Sequence, residues 1–120
     1  VHAVVEPAQI LQWQTEVRDI FVDRSLVGYA VEVVGATRSH PDVVLGASPR
    51  ATLGLVRLAQ AWAYVHGRRF VLPDDIKHLA RPVLSHRLGL RGPAGAPGQG
   101  GAQSIVEHVL RSVPVPVVAR

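Results

Sequence analysis

The fold is decided by one short stretch of the sequence, which reads Gly46-Ala47-Ser48-Pro49-Arg50-Ala51. Serine is favoured at helix N-caps because its hydroxyl can accept a hydrogen bond from an unpaired backbone N–H. Proline suits the first helical position, where its missing N–H costs nothing and its φ angle is already helical. Ser48 and Pro49 therefore predict the start of a helix, which we expect to continue to about Gly67.

This helix is predicted to be the central one. Its residues are apolar on nearly all sides, apart from a narrow polar stripe formed by Arg57, Gln60 and Tyr64. A helix with that pattern is usually buried. Arg50 is unusual, since it lies in the first turn, where the helix dipole favours anions. A guanidinium beside a capped helix N-terminus predicts contact with an anion such as a phosphate. An ordinary solvated arginine is the alternative.

Composition limits the class of protein. The chain has 120 residues, of which 48% are hydrophobic and 18% charged, so we expect one folded domain rather than a disordered chain. It has no cysteine, which excludes disulfides and cysteine-based zinc sites. It shows neither a signal peptide nor a candidate membrane span, so the cytoplasm is the default location. Because it contains no methionine, we interpret it as a piece of a longer protein.

The basic charge has two interpretations. The formal net charge is +4, and all of the 13 basic residues except Lys77 are arginines. This could reflect the codon usage of a GC-rich genome, or it could mark a surface that binds nucleic acid. No long run of like charges decides between them.

Helical periodicity continues on both sides of the central stretch. A first helix is predicted from Pro7, with an apolar face that includes Ile10, Trp13, Val17, Ile20 and Phe21. A second helix is predicted from Arg24 to about Ser39, with Asp23 as N-cap. Its expected apolar face comprises Leu26, Val27, Ala30, Val31, Val33, Val34 and Thr37.

The second half of the chain predicts two more helices and a loop. Pro73 opens a helix that Pro82 should kink or break. The Gly- and Pro-rich residues 91–103 are predicted to form a mobile loop, and a short helix should follow from about Ser104 to Val113. The sum is an all-α bundle of four to five helices.

Several kinds of catalytic site are missing from the sequence. There is no Gly-rich phosphate loop ending in Lys-Ser or Lys-Thr, and the six histidines form no His-Glu-x-x-His pair. We therefore predict no metal site. Ser48 has no sequence-adjacent histidine that could activate it, and its cap position explains it. The residues argue against a self-contained enzyme.

Four motifs then follow one another in order. They are Thr37-Arg38-Ser39-His40-Pro41-Asp42-Val43, Leu45-Gly46-Ala47-Ser48-Pro49-Arg50-Ala51, Leu72-Pro73-Asp74-Asp75-Ile76-Lys77 and Pro82-Val83-Leu84-Ser85-His86-Arg87. Together they resemble the C-terminal helical lid domain of MoxR-type AAA+ ATPases, over a region from about Pro7 to Leu88. The sequence departs from the family at Leu72, where a threonine cap is common, and in the unusually Gly- and Pro-rich loop.

The resemblance implies a domain organisation and a nucleotide site. Residues 1–6 would link the lid, residues 7–120, to an N-terminal ATPase core, and the lid would close over ATP and Mg²⁺ bound to that core. Arg50 matches the family's sensor 2 arginine, whose guanidinium reaches the ATP phosphates. The turn formed by Gly46, Ala47, Ser48 and Pro49 would aim it, so these residues are the predicted nucleotide-binding set and Arg50 the predicted catalytic residue.

The resemblance also implies partners for the parent protein. Family members form hexameric rings and act as chaperone-like remodelling factors, often with a partner that contains a von Willebrand A domain. Two other classes stay open. The helices that begin at Ser48 and Pro73 could mimic a helix-turn-helix in a small basic module that binds nucleic acid, although the central helix is too apolar for a DNA groove. A purely structural bundle is the second.

Overall fold

The protein is an all-α bundle with one short pair of strands. The computed structural model describes residues 1–90 and 101–117. In chain order its elements are α1 (Pro7–Arg18), α2 (Arg24–Ser39), β1 (Val43–Leu45), α3 (Pro49–Val65), α4 (Pro73–Leu84), a 3₁₀ turn (Ser85–Arg87), β2 (Gly89–Leu90) and α5 (Gly101–Ser112). The predicted fold class is confirmed. No helix in the described residues is long and apolar enough to cross a membrane.

Local sequence signals set several helix ends. Asp23 caps α2, because its carboxylate accepts hydrogen bonds from the backbone N–H of Ser25 at 2.9 Å and from its hydroxyl at 2.7 Å. Gly67 follows α3 with a φ of 75°, a left-handed conformation that glycine adopts without a steric penalty. At the other end of the chain, α5 stops at Ser112, two residues before Pro114.

The Asp23 cap makes the stability of this chain depend on pH. Two hydrogen bonds from Ser25 lower the pKa of Asp23. The bond from the Ser25 hydroxyl has the larger effect, and the bond from its backbone N–H has the smaller one. A lowered folded-state pKa stabilises the fold above the unfolded carboxyl pKa of about 4, and this contribution disappears as pH falls through the folded value. We therefore expect Asp23→Asn to flatten the loss of stability in acid, as measured by urea unfolding at a series of pH values. Asp42→Asn, which changes an exposed loop carboxylate, should leave the loss of stability at low pH as steep as in the parent.

The hydrophobic core lies between α2, α3, α4 and α5. Its largest fully buried side chains are Leu26, Val33, Val34, Leu55, Val71, Ile76, Leu84 and Val106. The predicted apolar stripe of α5 is confirmed, with Ile105, Val106, Val109 and Leu110 buried. On α2 the prediction was too wide, because Val27 and Val31 lie on the solvent side of the helix.

Helix α3 is central but is buried on one face only. The buried face consists of Ala51, Leu55, Ala59 and Ala63, spaced four residues apart. Leu53, in contrast, is 54% exposed, and Leu58 and Val65 also face solvent. The prediction of a helix buried nearly all round is therefore wrong, since this bundle places neighbours against only part of α3.

Helix α1 lies on the surface and contributes no buried residue. Trp13, predicted to belong to the core, is 40% exposed and lines an apolar groove between α1 and α3. The Tyr64 hydroxyl of α3 donates to Glu16 of α1, and the amide of Gln60 donates to the carbonyl of Ile20, just after α1, at 2.9 Å. The predicted solvent stripe of α3 thus faces α1 in part.

Helix α4 begins at Pro73, as predicted, and continues past Pro82. Leu72 occupies the N-cap position, and the carboxylate of Asp75 accepts its backbone N–H at 2.7 Å. This bond is the half of a capping box that does not require a polar side chain at the N-cap. Pro82 does not break the helix, which continues to Leu84 and then tightens into the 3₁₀ turn.

The strand pair joins two distant parts of the chain. Strands β1 and β2 are antiparallel, with Val43 opposite Leu90 and Leu45 opposite Gly89. The sequence predicts a loop from Asp42 to Gly46, because Pro41 ends the preceding helix, whereas Val43–Leu45 form β1 in the structure. Because α5 begins at Gly101, residues 101–103 of the predicted 91–103 loop lie in its first turn. Residues 91–100 lie outside the described part of the chain.

Candidate nucleotide-facing turn

The predicted site residues form the connection from β1 to α3. Gly46 is half-buried and Ala47 is buried, whereas Ser48, Pro49 and Arg50 are exposed. Ser48 has extended backbone angles and occupies the N-cap position, and Pro49 is the first helical residue. The structure therefore brings the five residues together as one turn, which has a buried half and an exposed half that ends at Arg50.

The expected hydroxyl cap of Ser48 is not present. Its side chain accepts no capping hydrogen bond, while its backbone carbonyl accepts the N–H of Ala51 at 2.9 Å. The cap prediction is correct for the position and wrong for the contact. The start of α3 consequently depends on Pro49 and on the anchoring of the preceding residue.

Two residues of α2 anchor that preceding residue, Ala47. The backbone N–H of Ala47 donates to the hydroxyl oxygen of Thr37 at 3.1 Å, and its carbonyl accepts Nε of Arg38 at 3.1 Å. The Thr37 hydroxyl is itself buried and donates to the carbonyl of Val34 at 2.6 Å. Both backbone polar groups of Ala47 are therefore satisfied by the last turn of α2.

Sequence reasoning assigned no role to Thr37 or Arg38, although both stand in a motif that carries the family resemblance. Thr37 was placed on the apolar face of α2 with no partner. A polar residue at a core position needs a hydrogen-bond partner, so its position was the signal that could have identified it.

Gly46 lies against α2 too closely to carry a side chain. A Cβ atom built on it would lie 2.7 Å from Cα and 2.8 Å from the backbone nitrogen of Arg38, and would also overlap Cγ of that residue. Real Cβ contacts essentially never reach these distances, and a backbone atom cannot move aside as a side chain can. The glycine is therefore required by the close approach of two backbone segments.

Gly46→Ala should destabilise this chain by about 2 kcal/mol, the scale of an overpacked core position. The expected cause is displacement of the turn from α2. Urea unfolding would measure the loss, and Gly54→Ala provides a control, because a Cβ at this α3 position meets nothing within 4 Å. Equal stability of Gly46→Ala and the parent would contradict the close approach.

The guanidinium of Arg50 is available to an external anion. Its side chain is exposed, and the ion pairs found in the described residues involve two other arginines, Arg68 with Asp75 and Arg81 with Glu107. In the same region Arg50 takes part in no hydrogen bond to another side chain. A cation in the first turn is unfavourable next to the helix dipole, and a bound anion would offset that.

Other candidates from the sequence have structural roles. The sequence leaves the adjacent Arg68 and Arg69 as either solvated or in contact with another subunit, and in the structure Arg68 pairs with Asp75. Trp62 lies between two imidazole rings, with centroid distances of 4.5 Å to His66 and 4.7 Å to His78. The described residues contain no group of three or more His, Asp or Glu side chains that could hold a metal ion.

Comparison with known proteins identifies the class. A family model described as "AAA lid domain" matches residues 35–109, a region that runs from the last turns of α2 through α5 and includes the whole turn at Arg50. The chain therefore belongs to the AAA lid domain family.

Its relatives are of the MoxR type. The chain is 41% identical to YeaC of Bacillus subtilis over 95% of its own length and 35% of that protein, and 35% identical to the protein named Chaperone MoxR1 of Mycobacterium tuberculosis, over 96% of this chain and 33% of that protein. A crystal structure of a putative ATPase from Cytophaga hutchinsonii superposes with a TM-score of 0.87 at 32% identity, covering 98% of this chain and 38% of the other. The chain thus spans about a third of the length of these relatives. None of them supports a nucleic-acid-binding module.

Proposed function

We propose that this chain closes over ATP bound to a nucleotide-binding core, and that Arg50 contacts the phosphates. The core would be supplied by the rest of a longer polypeptide, called the full-length protein below. The observation that carries the proposal is the exposed guanidinium at the start of α3, adjacent to a turn whose backbone is fixed on α2. Membership of the AAA lid family and the MoxR-type relatives support it.

The residues of the turn would make different contributions to binding an anion. Ala47 and Gly46 attach the turn to α2, Pro49 starts the helix, and Arg50 presents a planar donor group suited to phosphate oxygens. ATP, with Mg²⁺, would supply the cleavable phosphate. We expect the isolated chain not to hydrolyse ATP without the core.

The nucleotide-facing role can be tested by amide hydrogen exchange in the full-length protein. A non-hydrolysable ATP analogue should slow exchange at the backbone amides of residues 46–52. Amides in the middle of α5, which packs against α2 and α4, provide the internal control and should change little. If the analogue protects the core but leaves residues 46–52 unchanged, the proposed contact is absent.

Further properties of the full-length protein are proposed from the resemblance. We propose a hexameric ring, a chaperone-like remodelling activity, a cytoplasmic location and a partner with a von Willebrand A domain. The name Chaperone MoxR1, carried by one relative, supports the remodelling activity.

A further inference from the structure

We propose that Thr37 is a positioning residue for Arg50. Its hydroxyl, together with Nε of Arg38, fixes Ala47 on the end of α2 and thereby sets the direction in which α3 presents Arg50. This inference rests on the phosphate-facing role proposed for Arg50 and extends it to two residues of α2 that bind the turn before Arg50.

The Thr37 hydroxyl group makes two hydrogen bonds at once. Thr37 Oγ1 accepts the N–H of Ala47 and donates to the carbonyl of Val34, so it links the turn to the α2 backbone without any solvent contact. Valine has nearly the same shape and can make neither bond. Serine can make both. The hydroxyl can therefore be tested separately from the packing.

Ala47 lies close to Arg50 in the chain. It lies immediately before the N-cap Ser48 and three residues before Arg50. Arg38 Nε donates to the Ala47 carbonyl, so the peptide groups on both sides of Ala47 are bound to α2. The backbone at Gly46 also lies directly against that of Arg38. A shift of Ala47 would therefore be transmitted to the first turn of α3.

The rate of ATP turnover is expected to depend on the position of the Arg50 guanidinium. Arg50 has no neighbour of its own in the described residues that would hold its guanidinium in place, so its aim depends on the backbone that carries it. Catalysis is steeply dependent on such geometry, since a misplacement of about 1 Å can reduce the rate about a hundredfold. Thr37 is therefore expected to affect the reaction through Arg50 and not through general stability.

The test is a double-variant cycle on ATP turnover by the full-length protein. Thr37→Val should lower kcat between about tenfold and a hundredfold, and Thr37→Ser should restore most of it. In an Arg50→Ala background, Thr37→Val should change kcat by no more than about twofold, because the residue that it positions is gone. Val109→Ala, which removes buried volume from α5 outside the turn, reports how turnover responds to lost stability alone.

The outcomes separate this inference from the proposed function. If Arg50→Ala retains full turnover, the proposed function fails. If Arg50→Ala loses turnover while Thr37→Val retains it, only the positioning role fails. Independent losses that multiply in the double variant, or equal effects of Thr37→Val and Val109→Ala, would also overturn the positioning role. If Thr37→Val lacks the helical circular-dichroism signal of the parent, Arg38→Met replaces it in the double-variant cycle. This substitution keeps the aliphatic stem and removes the donor to Ala47, and the same outcomes are expected.

Discussion

Arg50→Ala is expected to lower ATP turnover by the full-length protein by about a hundredfold or more, the usual loss for one preorganised charge stabiliser. The same substitution in the isolated chain should change the free energy of unfolding by no more than about 0.5 kcal/mol, as for other surface positions. The reason is that Arg50 is exposed and lies in a helix first turn, where its charge opposes the dipole. ATPase assays and urea unfolding measure the two effects.

Two further variants make the Arg50 experiment specific. Arg50→Lys should restore little turnover, because an ammonium group lacks the planar pair of donors that matches phosphate oxygens. Arg57→Ala removes another exposed arginine, about two turns further along the same helix, and should leave turnover close to that of the parent. If Arg50→Ala unfolds the isolated chain, or leaves turnover of the full-length protein intact, Arg50 has a structural role.

Asp75→Ala is expected to destabilise the chain by about 2 kcal/mol or more, because it removes the buried partner of a partly buried ion pair together with the acceptor of a backbone N–H. Asp75 is only 4% exposed, and its two oxygens accept NH1 and NH2 of Arg68, each at 2.7 Å. One of them also accepts the backbone N–H of Leu72. The substitution leaves the Leu72 N–H without its acceptor and leaves the half-buried guanidinium with the Phe70 carbonyl as its remaining acceptor in the described residues.

A neighbouring carboxylate provides the matched control for Asp75. Asp74 lies in the same first turn of α4 and has the same charge, but it is exposed. Asp74→Ala should therefore change the free energy of unfolding by well under about 1 kcal/mol, mainly through the helix dipole. Asp75→Asn keeps an oxygen that can accept the N–H of Leu72, so its free energy of unfolding should lie between those of Asp75→Ala and Asp74→Ala. Similar unfolding curves for the two alanine variants would show that the ion pair contributes little.

The helices could be predicted because each has local signals. Asp23, Pro49, Gly67 and Pro73 mark helix ends at the positions where the structure has them. The extent of burial could not be predicted, because periodicity identifies an apolar face and not the element that covers it. Trp13 and Leu53 show this limit, since both belong to apolar patterns and both remain accessible.

The site was predictable in part. A proline-started helix with an arginine in its first turn is a local pattern, and the structure places Arg50 as that pattern indicates. The attachment of Ala47 to Thr37 links residues ten positions apart through a backbone N–H, which has no sequence signature. The pairing of β1 with β2 depends likewise on a distant partner, so the sequence predicted a loop there.

The surface position of α1 has a consequence for cooperativity. Elements with little buried apolar area open at a lower free energy than the core, whereas a single two-state transition requires all elements to share it. Helix α1 has no buried side chain, and it faces α3 through partly exposed apolar residues such as Val17 and through the hydrogen bond from Tyr64 to Glu16. We infer that α1 melts as a separate unit, so that the main unfolding midpoint of this chain reports on the other four helices.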